Sequence, residues 1–306
     1  MDTIKNYFYS MRPTQWIKNL LVFGFIFFNQ DLYNLHDFKI VFFTFIAFIF
    51  VSSSIYLIND VIDYKRDALH PIKRKRIIAS GKIPRDSALI FSFILFIIGL
   101  VISFYIGEYL LLIYILYYIL FIIYSVYLKN ILIIDALTTA SGFVLRVLAG
   151  GVVIGLAINS WFVIFIICAS LFIAFGKRRA EVTMMSFKKA IVHRTVLSSY
   201  PKELLDNLIS MTAAITFLSY ILFSYNEDIH SKTPNIISSL LPSHLKNPHW
   251  FKITIPIAFY ILARYMYNIY VNKTADTPET IWFKDRYILI SIMLYILASF
   301  VTLYLV

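Results

Sequence analysis

The stretch DFKIVFFTFIAFIFVSSSIYLINDVIDYKRD, Asp37 to Asp67, runs from an apolar segment at 38 to 58 straight into a row of acids, Asn59, Asp60, Asp63 and Asp67. A helix needs about 20 apolar residues to cross the ~30 Å hydrocarbon layer of a bilayer. The first part therefore reads as a membrane span and the second as its polar end. If the helix continues past the membrane, Asn59, Asp63 and Asp67 recur every four residues and stack on one face, with Asp60 beside them.

The rest of the chain repeats the apolar pattern. Its 306 residues are 60% apolar and 18% aromatic, with a mean hydropathy of +0.76, whereas soluble domains are roughly half apolar and a quarter charged. Segments at about 16 to 34, 38 to 58, 86 to 107, 109 to 128, 134 to 157, 160 to 176, 207 to 225, 250 to 271 and 287 to 306 are each apolar enough to read as spans. The first is the shortest in apolar core, Leu20 to Phe28, and is expected to tilt or insert partly. The expected fold is all-α: a polytopic membrane protein of nine transmembrane helices, folded as a single domain over residues 1 to 306.

Charge gives an independent view of topology, because cytoplasmic loops are rich in Lys and Arg. With the N-terminus inside, 22 of the 28 Lys and Arg fall in inner segments and four, Lys39, Lys232, Lys246 and Lys252, outside. Arg146 and Arg264 lie within spans. The expected location is the cytoplasmic membrane, multi-pass, with the acid row facing the cytoplasm. The net charge of +11 is on this view a topology signal, not a nucleic-acid footprint, since no soluble domain carries it. No cleavable signal peptide is legible at the N-terminus. Cys168 stands alone in a span and reads as a small core residue.

Ionisable groups at helix ends in lipid are costly and mark function. Three like charges on one face need a cation, and oxygen-only ligands suit Mg²⁺, which binds through a few carboxylates plus substrate phosphates. Asn59, Asp63 and Asp67 are the candidate ligands. The competing reading is a solvated loop whose acids pair with Lys65, Arg66 and the run from Lys73 to Arg76.

A second cluster runs from Tyr124 to Arg146. It contains Lys129, Asp135 at the start of a span, and Arg146 about 16 Å deeper at 1.5 Å per residue. An arginine at that depth faces either a buried acid, Glu108 or Asp135, or a phosphate. Gly142, Gly150, Gly151 and Gly155 form a small-residue face suited to close packing. A third cluster, Lys177-Arg178-Arg179-Ala180-Glu181, offers Lys177 and Arg178 as phosphate clamps with Glu181 orienting one, and Arg179 as a headgroup anchor. In the fourth, Gln15 to Asn19, Trp16 reads as an interfacial anchor, while Lys18 and Asn19 shorten an already short span. His70 reads as a turn residue before Pro71. No P-loop, dinucleotide fingerprint, His/Cys metal spacing or nucleophile elbow occurs. All four clusters lie at inner helix ends, where a bundle would gather them around a central cavity open to the cytoplasmic side. Such a site suits a phosphorylated, partly lipidic substrate.

These residues carry a resemblance. The chain looks like the UbiA-type intramembrane prenyltransferase superfamily, whose N-D-x-x-D-x-x-x-D signature matches Asn59 to Asp67. Within it, the chain is most similar to decaprenyl-phosphate phosphoribosyltransferases, through RPTQWIKN (Arg12 to Asn19), NDVIDYKRDALHPIKRKR (Asn59 to Arg76), YSVYLKN (Tyr124 to Asn130), DALTTASGFVLRVLAGG (Asp135 to Gly151), FGKRRAE (Phe175 to Glu181), YPKELLD (Tyr200 to Asp206) and IPIAFYILARY (Ile255 to Tyr265).

The resemblance implies transfer of 5-phosphoribose from 5-phosphoribosyl 1-diphosphate to a polyprenyl phosphate, with Mg²⁺ as cofactor. Asp63, Asp67 and Lys177 would be catalytic. Lys18, Asn19, Asp60, Lys73, Arg76, Tyr124, Lys129, Asp135, Arg146, Arg178 and Glu181 would line the substrates. Membrane lipids surround the chain, and a homo-oligomer is compatible with it. Aromatic prenyltransferases carry a second acid pair, D-x-x-x-D, where this chain has Asp135 and Thr139, so the second metal cage is incomplete. The alternative is a conventional prenyltransferase acting on a prenyl diphosphate and an aromatic or other acceptor. A transporter or lipid-binding protein would use the same basic ends, but the hydropathy shows no inverted repeat and no ion-pathway acid in mid-span.

Overall fold

The computed structural model describes residues 2–69, 73–156, 159–185, 197, 199–225, 250–272, 281 and 285–305. His70 and the segment between 225 and 250 thus lie outside the described residues, the latter but for its two ends. Within them all regular structure is helical. The α-helices are α1 (Asp2–Ser10), α2 (Gly24–Phe28), α3 (Leu35–Ile62), α4 (Tyr64–Leu69), α5 (Arg85–Ile106), α6 (Glu108–Val126), α7 (Ile134–Val152), α8 (Ser160–Met185), α9 (Lys202–Ser224), α10 (Thr254–Tyr267) and α11 (Arg286–Phe300).

Among the described residues six helices, α3, α5, α6, α8, α9 and α11 with its π-helical continuation Val301–Leu305, are long and apolar enough to cross a membrane. The other three expected spans are helical but depart from a regular apolar α-helix. Residues Pro13–Phe23 form a 3-10 helix leading into the five-residue α2. A 3-10 helix rises about 2 Å per residue instead of 1.5 Å, so a short apolar core reaches further. α7 carries Asp135, Arg146 and many small residues. α10 has 14 residues and ends in a π-helical turn, Asn268–Asn272.

By internal contacts the chain divides into two compact units. The first comprises 1–25, 35–156 and 188–199; the second comprises 26–34, 157–187 and 200–306.

In the first unit α3 is the central element, packed by α5, α6 and the 3-10 helix. It buries polar as well as apolar groups, because neighbouring helices supply partners. Ser54 and Ser92 hydroxyls meet at 2.9 Å, and Tyr114 donates to the Thr44 carbonyl at 2.7 Å. The small-residue face of α7 packs closely at Gly142, Gly150 and Gly151, whereas Gly155 lies past the helix end at φ +63° with open space around it. A Cβ on Gly150 would lie 1.8 Å from the Val22 carbonyl oxygen of the 3-10 helix, and one on Gly151 2.7 Å from the Phe25 ring. The backbone approach at Gly150 leaves no room for a methyl group. Gly150→Ala is therefore expected to destabilise the protein by about 2–3 kcal/mol, despite the better helix propensity of alanine. Thermal unfolding in detergent checks this, and an unchanged midpoint would contradict the packing.

In the second unit α8 packs along α9, and α10 along α11. Gly176 of α8 admits Ile269 and Tyr265, whose atoms would lie 2.7 and 3.2 Å from an added Cβ. Asp285 caps α11, accepting from the Tyr287 and Ile288 amides at 2.9 and 3.3 Å. It also accepts from Arg264 Nε at 2.9 Å and Asn268 Nδ2 at 2.7 Å.

Candidate active site

The helical path does continue past α3. Asp63 donates its amide to the Asn59 carbonyl at 2.9 Å and Asp67 to that of Asp63 at 2.8 Å, so α3 passes into α4 with only a local irregularity at Asp63. The buried face of this path is Asp60, Asp63 and Asp67, while Asn59 is half-buried at its margin. The three carboxylates thus follow an i, i+3, i+7 row.

Each carboxylate holds a cation brought from elsewhere in the first unit. Arg76 Nη1 sits between Asp60 Oδ1, at 3.0 Å, and Asp67 Oδ2, bonded to both. Arg12 also pairs with Asp60 Oδ1. Lys129 Nζ lies 2.7 Å from Asp63 Oδ1, and the more distant Arg66 Nη1 lies 3.8 Å from it. The pairing of acids with Arg66 and Arg76, raised by the sequence as the alternative to a metal site, is therefore present. Arg12 was not singled out by sequence, and it is the residue whose role the structure adds.

Local structure explains how these cations arrive. Arg12 is in the left-handed conformation (φ 55°, ψ 65°) between α1 and the 3-10 helix, and its guanidinium lies over the Tyr56 ring at 5.3 Å. Arg76 is carried by a loop that turns back at Gly81, φ +75°, with the Ser80 amide bonded to the Arg76 carbonyl at 2.8 Å. Ile78 and Ile83 bury beside Leu57 and Leu95 to hold that loop. Lys129 belongs to a short 3-10 turn before α7, followed by Ile133 at φ 68° with the Ile134 amide bonded to the Leu132 carbonyl at 2.8 Å. A β-branched residue in such a turn is strained. That strain sits between Lys129 and Asp135, both buried.

Burial pushes the Asp67 carboxyl up, and Arg76 and Lys73 pull it only part of the way back. Burial, and then the like charge of Arg12, lower Arg76. A group whose folded pKa exceeds its unfolded value contributes stability below the unfolded pKa and loses it as pH rises through the folded one. Ionised Asp67 is thus a cost to the fold at neutral pH. Asp67→Asn is expected to equal or exceed the wild type in thermal stability near neutrality, with the difference closing on acidification towards about pH 4. A variant less stable than wild type at neutral pH would contradict this.

Arg146 gives way as a partner of Glu108 or Asp135. It is 3% exposed and surrounded by neutral groups: Nε donates to Asn19 Oδ1 at 2.8 Å, Nη1 to the Gly142 carbonyl at 2.6 Å and Nη2 to the Tyr117 hydroxyl at 2.7 Å. The Phe48 and Tyr117 rings flank it at 5.7 and 5.0 Å. Asn19, expected near substrate, is fully buried and occupied by Arg146 and by Ser52 Oγ at 3.4 Å. Trp16 bonds to Ser53 Oγ at 3.2 Å, so it anchors to α3 as well as to any interface. Lys18 lies 6.0 Å from the centre of the Phe143 ring, and Tyr124 stands edge-on to Phe121 at 5.9 Å. Thr139, which replaces the second acid of the pair, spends its hydroxyl on the Asp135 carbonyl at 2.8 Å.

The third cluster lies in the second unit. Arg178, 3% exposed, bonds to Glu181 at 2.6 Å, as the sequence suggested for one of the basic pair. Lys177 is half-buried beside it on α8. Arg179, read as a headgroup anchor, instead pairs with Asp206 of α9 at 2.7 Å and with Thr183. A cavity of about 320 Å³ opens in this unit among Arg264, Asn268, Asp285 and Arg286, and none of the candidate site residues lines it.

Among the described residues no three carboxylate or imidazole side chains stand ready to hold a metal by themselves. The donor set nevertheless fits a hard divalent cation. Asn59, Asp63 and Asp67 offer oxygen donors only, and Arg76 Nη1, seated between Asp67 and the neighbouring Asp60, shows that the row accommodates a positive centre. Mg²⁺ takes few protein ligands and completes its shell with water and phosphate.

This arrangement of helices and acids defines a class. The UbiA prenyltransferase family model matches residues 20–283, and the chain belongs to that family: it is a multi-pass membrane enzyme, a transferase. Its relatives are more particular. The decaprenyl-phosphate phosphoribosyltransferase of Mycolicibacterium smegmatis is 32% identical over 282 residues, 90% of this chain and 86% of the relative. That of Mycobacterium tuberculosis is 28% identical over 90% of this chain and 87% of its own. Among solved structures, a UbiA homolog from Archaeoglobus fulgidus bound to GPP and Mg²⁺ superposes with a TM-score of 0.66 at 17% identity, covering 97% of this chain and 99% of that one. Digeranylgeranylglyceryl phosphate synthase superposes with a TM-score of 0.62 at 22% identity over 99% of both chains. At such identities the structural likeness concerns the fold.

Proposed function

We propose that the chain transfers 5-phosphoribose from 5-phosphoribosyl 1-diphosphate to a polyprenyl phosphate, releasing diphosphate, at a site on the cytoplasmic side of the membrane. The observation that carries this reading is the acid row with its own cations. Asp63 and Asp67, with Asn59, can turn to a metal, while Asp60 stands beside them, and Arg12, Arg76 and Lys129 are the groups a diphosphate would take up. The names of the curated relatives favour the phosphoribosyl donor, and Thr139, turned back onto its own helix, leaves the second acid pair unfilled.

Asn59, Asp63 and Asp67 would hold Mg²⁺, whose positive charge would neutralise the leaving diphosphate. The remaining chemistry belongs to the chain. An oxygen of the acceptor phosphate forms a bond to the anomeric carbon while the bond from that carbon to the diphosphate oxygen breaks, its electron pair leaving with the diphosphate. The acceptor is already an anion, so no general base is needed. Basic side chains stabilise charge as it develops. Lys177 and Arg178, with Glu181 on Arg178, are proposed as a phosphate-binding cluster of the second unit, and Lys18 and Lys73 are proposed to draw anionic substrate to the first.

Purified protein with Mg²⁺, phosphoribosyl diphosphate and a polyprenyl phosphate should yield a polyprenyl-linked phosphoribose by mass spectrometry. A prenylated acceptor from prenyl diphosphate, with no phosphoribosyl product, would decide for conventional prenyl transfer. A single displacement inverts the anomeric centre, and a product of retained configuration would refute that version.

A further inference from the structure

The carboxylates of the acid row are neutralised before any ligand arrives, and the placement of their partners says how a metal-bound diphosphate enters. Arg76 Nη1 occupies Asp67, one of the proposed metal ligands, together with its neighbour Asp60, and Lys129 Nζ occupies Asp63, another. Arg12 adds a second positive charge at Asp60.

A divalent cation entering alone would displace these groups and leave them unpaired. For Lys129, whose side chain is 3% exposed, an unpaired charge is expensive. A diphosphate entering alone would bring negative charge against three carboxylates, with its natural partners already engaged. Entering together, the two find a complete exchange. The metal takes carboxylates from the cations, and the diphosphate takes the cations from the carboxylates. Arginine forks suit phosphate oxygens in two-point contact. The Arg12 and Arg76 side chains are 22% and 27% exposed, enough to swing between partners, whereas Lys129 needs only to be approached.

We propose that Arg12, Arg76 and Lys129 are internal counterions that pass from the acid row to the donor diphosphate, so that metal and diphosphate bind as a pair and each binds poorly alone. Arg12 thereby becomes a donor-binding residue. The inference rests on reading the acid row as the donor's diphosphate site, and it holds for a phosphoribosyl or a prenyl donor alike.

The test is equilibrium dialysis of Mn²⁺ against the purified full chain in detergent, without and with inorganic diphosphate, corrected for metal complexed in solution. In the wild type, diphosphate should tighten Mn²⁺ binding about tenfold or more, the effect of one charge-assisted contact. Arg76→Gln should move the two affinities in opposite directions: Mn²⁺ alone binds more tightly and diphosphate alone more weakly. Arg12→Gln should do the same to a smaller degree. A merely structural arginine would weaken both or neither, and that result overturns the proposal. Tight Mn²⁺ binding in the wild type that ignores diphosphate overturns the exchange alone, leaving transfer to be judged on its product. Absence of any diphosphate binding in the wild type, with or without Mn²⁺, overturns both the exchange and the donor-site reading. The wild-type measurement decides even if a variant fails to fold.

Discussion

Asp67→Asn is expected to cut transfer by about 10²–10³-fold at saturating Mg²⁺, the usual loss when one group stabilising a developing anion is removed. The asparagine keeps the shape and an oxygen that can accept from Arg76, but lacks the charge needed to hold a metal against diphosphate. Because burial makes the ionised Asp67 a cost to the fold, this loss should come without loss of thermal stability. That combination separates a functional acid from a structural one. Asp63→Asn should lose activity to a similar degree. Asp63→Ala is harsher, since it strands Lys129 with its 3% exposed side chain, and breaking such a pair costs about 3–5 kcal/mol. Transfer within a few-fold of wild type in Asp67→Asn would remove the acid row from the mechanism.

Arg146→Ala is expected to destabilise the protein by about 2–3 kcal/mol while leaving donor affinity in the folded fraction unchanged. The substitution abandons Asn19, Tyr117 and the Gly142 carbonyl inside the first unit. Hydrogen bonds within membrane bundles average about 0.6 kcal/mol and seldom exceed 1.7, whereas each orphaned polar group costs about 1–3, and relief of a desolvated cation offsets part of the total. Arg146→Lys should recover little, because one ammonium cannot reach three acceptors in the directions a planar fork does. Denaturant unfolding in detergent, paired with diphosphate binding, checks both parts. A stable variant that no longer binds donor would return Arg146 to the role of phosphate ligand that its depth in the sequence suggested.

Much of the candidate site was legible because membrane solvent makes every ionisable residue conspicuous. Asn59, Asp63 and Asp67 stood out by spacing, with Asp60 beside them; the structure buries the three aspartates on one face and leaves Asn59 half-buried at its margin. Arg12 did not stand out. A basic residue at an inner helix end is also what topology requires, so nothing local distinguishes an arginine that holds Asp60 from one that marks the cytoplasmic side. Its position next to Pro13 in a stretch shared with the family was the one available signal. Arg179 was misjudged for the same reason: beside headgroups it reads as an anchor, and only the packing of α8 along α9 supplies Asp206.

The sequence by itself determined that the chain is helical and soluble in lipid, that acids and bases gather at helix ends, and that it belongs with intramembrane transferases. The first two follow from composition, from the length a span requires and from spacing along one helix; the last follows from the resemblance carried by stretches such as Arg12 to Asn19, Asn59 to Arg76 and Phe175 to Glu181. Tertiary structure alone decided the partners. Asp63 meets Lys129 66 residues later, Asp60 meets Arg12 48 residues earlier, and Arg146 meets Asn19 across 127 residues. These pairs depend on how closely the helices dock, which is set by contacts such as Gly150 against the Val22 carbonyl. Such contacts leave no periodic trace in either segment, and so the row of acids was readable before the cations that hold it.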